Sequence, residues 1–190
     1  EPIADTIGII MYAHAQITRE NSPIENVVLD LSLNTGGHAD AAIYTIAWFL
    51  GECDLHLEDA VTGARSSTNY RVDVNGDRKF DENDSIAHLN RYCLVSPVSF
   101  SCGNLVPAVF KNSNQVTLLG RQTGGGACAV QPLASADGSI WQISSRLRLS
   151  TVTNGSFYAV DQGVAPDVLI DKDESYYDRE ALTEYINSLF

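Results

Sequence analysis

The sequence predicts a mixed α/β domain, on two observations. Before Ala127, apolar strand runs are followed by small-residue turns and then helical spacing, as in Val27–Leu33, Asn34-Thr35-Gly36-Gly37 and Ala41–Leu50. Beyond Ala127 the pattern changes to alternating segments joined by Asp137-Gly138 and Asn154-Gly155, which signals antiparallel hairpins. With 190 residues the chain is expected to fold as one domain, long enough to bury roughly 70% of its unfolded surface.

The elements follow in order. Ile7 to Ile17 alternates and is rich in β-formers, so it reads as a strand. Val27 to Leu33 is nearly unbroken apolar, as a strand covered on both faces would be, and Gly51 closes the Ala41–Leu50 helix as a C-cap. Leu55–Val61 and Ser67–Val74 read as a hairpin around Thr62-Gly63, leading to an acidic loop over Asp73–Asp84. Arg91–Ser96 is a buried strand, a helix follows Ser101 to about Lys111, and Val116–Gly120 is a further strand. Ala129–Leu133, Ile140–Arg148, Tyr158–Val160 and Val168–Ile170 complete the strands, with an amphipathic helix over Asp178–Leu189.

Composition excludes several classes. The net charge of -12, with only Lys79, Lys111 and Lys172 as lysines, argues against a nucleic-acid partner, whose affinity draws on clustered basic residues. No run of 18 apolar residues marks a transmembrane segment. The chain opens on Glu1 rather than Met, so it reads as a piece of something longer. Cys53, Cys93, Cys102 and Cys128 have no zinc spacing; Cys102 and Cys128 could bridge, or all four could be ordinary thiols.

Chemistry concentrates at Ser101. It lies where an apolar strand turns sharply into a helix, a setting in which backbone N–H groups and the helix dipole favour a developing negative charge. The Gly36-Gly37 turn, after another buried strand, lets backbone approach a substrate carbonyl, so Gly36 or Gly37 with the Cys102 amide could form an oxyanion hole. Each such donor is worth roughly 3 kcal/mol in the transition state. Taken singly, the serine could equally be an N-cap and the glycines an ordinary turn.

The ordered set of motifs is more specific. Val27-Val28-Leu29-Asp30-Leu31-Ser32-Leu33-Asn34-Thr35-Gly36-Gly37 resembles the "hydrophobic-D-L-R-x-N-x-G-G" signature of the carboxy-terminal processing proteases, also called tail-specific proteases, and of the tricorn core. Ser99-Phe100-Ser101-Cys102-Gly103-Asn104 resembles their "S-A-S-A-S-E" nucleophile motif. Leu119-Gly120-Arg121-Gln122-Thr123-Gly124-Gly125 is similar to "V-G-x-x-T-x-G", and Gly163-Val164-Ala165-Pro166-Asp167 to the closing "G-I-x-P-D". The resemblance implies a serine peptidase of ClpP/crotonase-like fold, with Ser101 as nucleophile acting on peptide or protein substrates. The family's PDZ and amino-terminal modules are expected to lie outside this chain.

Departures accompany it. The family's catalytic lysine falls at Gly126, or at Ala127 if Gln131 keeps the nearby glutamine position. Asn104 stands for the usual glutamate and Ser32 for the arginine. The base must then come from elsewhere, and histidine suits because it titrates near neutrality. His38, directly after Gly37, is the first candidate, and His14 the second; Asp40 orienting His38 is weaker, since residues two apart on a helix do not face each other.

The acidic loop places oxygen ligands at calcium-loop spacing: Asp73, Asn75, Asp77, the Lys79 carbonyl, Asp81 and Asp84. Arg78 occupies the position normally held by glycine. A structural calcium ion there would pin the excursion before the Ser101 strand, and it favours an extracellular or cell-surface setting. Two functions remain in play: a peptidase acting through a Ser101 acyl-enzyme, and a degenerate homologue that only binds peptides or a partner. A docking module of dockerin type is a weaker third, because such modules carry two calcium loops and little else.

Overall fold

The computed structural model describes residues 5–126, 128–171 and 178–189. Four parallel strands form one sheet in the order β1-β4-β5-β9, namely Asn26–Asp30, Asn90–Val95, Thr117–Gly120 and Val168–Leu169. Helix α2 (Ala39–Leu50) follows β1 and α3 (Cys102–Ser113) follows β4. Because β1 and β4 are neighbours, the turns after both strands meet at the same carboxyl edge, where open α/β sheets bind their ligands.

The central strands β4 and β5 are covered on both faces, whereas the edge strand β1, expected to be so too, packs Val27 and Leu29 against the core and leaves Val28 exposed. In β4, Cys93 and Val95 enter a core shared with Ile46, Phe49 and Phe110, while Tyr92 and Leu94 face Ile186 of the last helix, α4 (Arg179–Ser188). Phe49 of α2 and Phe110 of α3 stack with ring centroids 4.9 Å apart, fastening the two site-bearing helices together.

A second, antiparallel sheet runs β3-β2-β7-β6, with β8 added to β7. Its strands are β2 (Cys53–Asp59), β3 (Arg65–Tyr70), β6 (Cys128–Ala134), β7 (Ile140–Thr153) and β8 (Ser156–Ala159). Asn154 and Gly155 both have positive φ, 51° and 76°, the twist that a tight two-residue hairpin requires.

One element differs in kind from the sequence reading. Thr6–Ile17, expected as a strand, is helix α1. Asp5 caps it by accepting the Gly8 amide at 2.7 Å, and Ile10, Ala13, His14 and Ile17 pack at helical spacing against the core. The alternation of Ile7, Ile9 and Met11 is incidental, for Ile9 and Met11 are solvent-exposed. Two bounds also shift. Strand β1 stops at Asp30 because that carboxylate takes the Ser32 amide and hydroxyl and bends the chain, and β3 ends at Tyr70.

His14 is a structural residue of α1, where its Nδ1 accepts the Trp48 indole N–H at 3.1 Å. Burial first of all lowers its pKa, against the raising influence of the Asn83 backbone and Asp84. A folded-state value below the unfolded one means that the unfolded chain takes up the proton more readily. The stability this group contributes is therefore present above about pH 6.5 and lost as pH falls toward the folded value. The melting temperature should accordingly decline from pH 7 to 5.5, and the slope should flatten in His14→Gln; equal slopes would remove His14 from the account.

Candidate active site

The two turns predicted to meet do so in atomic contact. Phe100 N–H donates to the Asn34 carbonyl at 3.0 Å, and the Ser99 hydroxyl donates to the Leu31 carbonyl at 2.7 Å. Gly36 has φ of 106° and lies so close to the serine turn that a Cβ there would stand 2.7 Å from Ser101 Cβ and 2.9 Å from the Phe100 carbonyl oxygen. A Cβ on Gly103 would meet the Asn34 carbonyl oxygen at 2.4 Å, so glycine is also required where α3 begins.

Ser101 is half-buried at the N-cap of α3, with φ 55° and ψ -123°, a strained conformation for a residue with a side chain. Its hydroxyl makes no capping bond, and the neighbouring Cys102 thiol donates to the Gly37 carbonyl at 3.2 Å. Burial pushes that thiol up, so Cys102 stays protonated at neutral pH. All four cysteines are free, which leaves no Cys102–Cys128 bridge.

The amides around this hydroxyl are divided. Gly36 N–H is taken by the Asn34 side-chain oxygen at 2.9 Å, whereas the Gly37 and Cys102 amides find no acceptor among the described residues. Gly36 thus contributes close approach, and Gly37 and Cys102 contribute the unengaged donors. His38 is exposed, caps α2 without a side-chain bond, and lines the same cavity as Gly36, Gly37 and Cys102. His14 does not line it, and His56 and His88 line other cavities.

The glycine run that replaces the expected lysine packs beneath Ser101. Ser101 N–H donates to the Gly125 carbonyl at 2.9 Å, and Gly124 N–H to the Ser99 carbonyl at 2.9 Å. Gly126 has φ of 82°, and a Cβ on it would stand 2.6 Å from the Phe100 ring. A lysine at this position would need both another backbone conformation and a displaced Phe100. The other candidate position, Ala127, lies outside the described residues.

Sequence reasoning missed a buried clamp below the site. The Asn104 side chain donates to the Val160 carbonyl at 2.7 Å and accepts the Thr123 hydroxyl at 2.6 Å, while Thr123 Oγ1 in turn accepts the Val164 amide at 2.6 Å. One fully buried amide thereby holds α3, the segment leading to Gly124 and the segment after Ala159 in a single register. The departure from glutamate at this position was the available signal.

The acidic loop closes on itself. Asp73 accepts the Gly76 and Arg78 amides, Asp77 the Lys79 amide, and Asp81 the Asn83 amide. Asp84 takes those of Val74 and Asp81. Arg78 has φ of 65°, the conformation for which glycine normally serves at that loop position. Among the described residues no three acidic, histidine or cysteine side chains converge so as to hold a metal ion.

The profile of peptidase family S41 matches residues 11–170. A search of curated protein sequences gives no match. The fold is similar to that of the photosystem II D1 C-terminal processing protease, with TM-score 0.73 and 19% identity over 96% of this chain and 44% of that one. A lipoprotein from Streptococcus agalactiae superposes with TM-score 0.66 and 18% identity, covering 99% of this chain and 63% of the other. The tricorn protease gives TM-score 0.55 and 16% identity over 87% of this chain and 15% of its own. The chain thus spans less than two thirds of each of these structures. With the family signature running from α1 to β9 on a fold shared with processing proteases, the chain belongs to peptidase family S41.

Proposed function

We propose that the chain is the catalytic core of a serine endopeptidase that cleaves peptide or protein substrates through a Ser101 acyl-enzyme. The supporting observation is the junction of two glycine-bearing turns at one serine, with the Gly37 and Cys102 amides left without acceptors. Ser101 Oγ attacks the carbonyl carbon, and those two amides receive the oxyanion. The hydroxyl proton passes to His38, which lines a cavity together with Gly37 and Cys102, and then to the departing amine; water hydrolyses the ester. Labelling by a fluorophosphonate tests the nucleophile. It should occur on the wild-type protein and disappear in Ser101→Ala; labelling unchanged by that substitution overturns the assignment.

A second reading is favoured by Gly126, which stands against Phe100 where the family's base is expected. A homologue that binds peptides without turnover would keep the cleft and lose the base. Ser101-dependent hydrolysis of any peptide excludes it.

The calcium reading rests on loop spacing and on the left-handed Arg78, with the Asp73 and Asp77 carboxylates folding the loop by accepting its backbone amides. Calcium would draw Asp73, Asn75, Asp77, the Lys79 carbonyl, Asp81 and Asp84 into one coordination sphere. Chelation should then lower the melting temperature by several degrees. Unchanged melting leaves the loop a self-capped acidic turn. Such a site suits an extracellular or cell-surface protein, where calcium is plentiful.

A further inference from the structure

We infer that the Cys102 thiol is a positioning residue for the proposed reaction: its hydrogen bond to the Gly37 carbonyl holds the Gly37 amide in place to receive the oxyanion. This rests on the roles proposed above for Ser101 and for the Gly37 and Cys102 amides.

The two amides are held very differently by the backbone. That of Cys102 belongs to a peptide unit whose carbonyl, on Ser101, accepts the Asn104 and Leu105 amides at 2.9 Å each, so the first turn of α3 fixes its direction. Gly37 has no such support. A Cβ on it would meet nothing within 4 Å, so packing does not confine that side of its backbone, and glycine has the widest choice of φ and ψ. Its flanks are anchored, Gly36 N–H to the Asn34 side chain at 2.9 Å and the His38 carbonyl to the Ala42 amide at 3.4 Å. Between these anchors, among the described residues, the Gly37 carbonyl takes one hydrogen bond, from the Cys102 thiol at 3.2 Å. The thiol thus ties the first residue of α3 to the loosest residue of the opposite turn. Without it, two torsions are freed at a residue whose amide must already be aimed when charge develops, and a donor that has to be ordered during the reaction stabilises less than one ordered beforehand. Burial keeps the thiol protonated at neutral pH, so it has a hydrogen to donate. The family motif carries alanine at this position, so the tie belongs to this chain's own sequence.

The test is the rate at which a fluorophosphonate labels Ser101 in the wild type, Cys102→Ala and Cys102→Ser. As Ser101 Oγ bonds to phosphorus, the hydroxyl proton passes to the base, fluoride leaves, and the phosphonyl oxygen stands where the oxyanion would. Cys102→Ala should label at least about tenfold more slowly at an unchanged melting temperature, because the amide is present but no longer held. Cys102→Ser restores a donor at the same branch point and should label at least about threefold faster than Cys102→Ala. Should Cys102→Ala fail to fold, the infrared S–H stretching band that disappears in Cys102→Ser reports the tie itself: it should lie at lower frequency than the bands of the buried Cys53 and Cys93 thiols, which make no hydrogen bond among the described residues. Equal labelling of Cys102→Ala and wild type, slowing that only tracks a lower melting temperature, no recovery in Cys102→Ser, or an unshifted S–H band overturns the positioning role and leaves Ser101 as the nucleophile. Absence of labelling in the folded wild type removes the nucleophile, and the role of Cys102 falls with it.

Discussion

Gly36→Ala is expected to lower Ser101 reactivity by at least about 100-fold and to destabilise the fold by about 3 kcal/mol. The added methyl would meet Ser101 Cβ at 2.7 Å, the Phe100 carbonyl oxygen at 2.9 Å and the Cys102 nitrogen at 3.2 Å, none of which is the free end of a flexible side chain. The serine turn cannot retreat easily, being tied to the Asn34 carbonyl on one side and the Gly125 carbonyl on the other. Alanine also resists a φ of 106°. Gly37→Ala is the control: nothing lies within 4 Å of its Cβ and its φ is not positive, so stability should hardly change. Comparable losses in both variants would show that the two turns are not locked together as described.

Asn104→Leu carries the second large effect, about 3 kcal/mol or roughly 10 °C in melting temperature. Leucine is close in size, so the loss comes from polarity. The Val160 carbonyl loses its shorter bond and keeps only the Gly163 amide at 3.3 Å, and the Thr123 hydroxyl loses its acceptor, in a site sealed from water. The Gly124–Gly126 segment, which supports Ser101 through the Gly125 carbonyl, should then lose register, so reactivity should fall along with stability. Denaturant unfolding together with probe labelling checks both; a stable variant with normal labelling would reduce the clamp to incidental packing.

What could be read from the sequence follows the range of the forces involved. The Arg91–Ser96 run marks a doubly covered strand because burial on both faces leaves an uninterrupted apolar signal, whereas the equally apolar Val27–Leu33 run belongs to an edge strand with Val28 exposed. Helix α1 was misread because its β-branched residues alternate over Ile7–Met11, although the Asp5 cap and the core-facing Ile10, Ala13, His14 and Ile17 were present in the same stretch. Gly36 was visible as a turn residue and Gly103 as part of the serine motif, but the need of each to lie close against the opposite turn was not. That need arises only when β1 and β4 pair in register, with Asp30 opposite Leu94. The Asn104, Thr123 and Val160 clamp joins three distant segments by directional hydrogen bonds, and no local pattern announces such a union.

Hydrolysis of an unfolded protein substrate by the wild-type chain and by Ser101→Ala tests the central claim most directly. Turnover that is present in the wild type and lost by at least about 1,000-fold in Ser101→Ala is the predicted result, since the proposed mechanism makes the serine oxygen the atom that forms the acyl bond. Hydrolysis persisting undiminished in Ser101→Ala, or absent from a folded wild-type protein, would contradict the account.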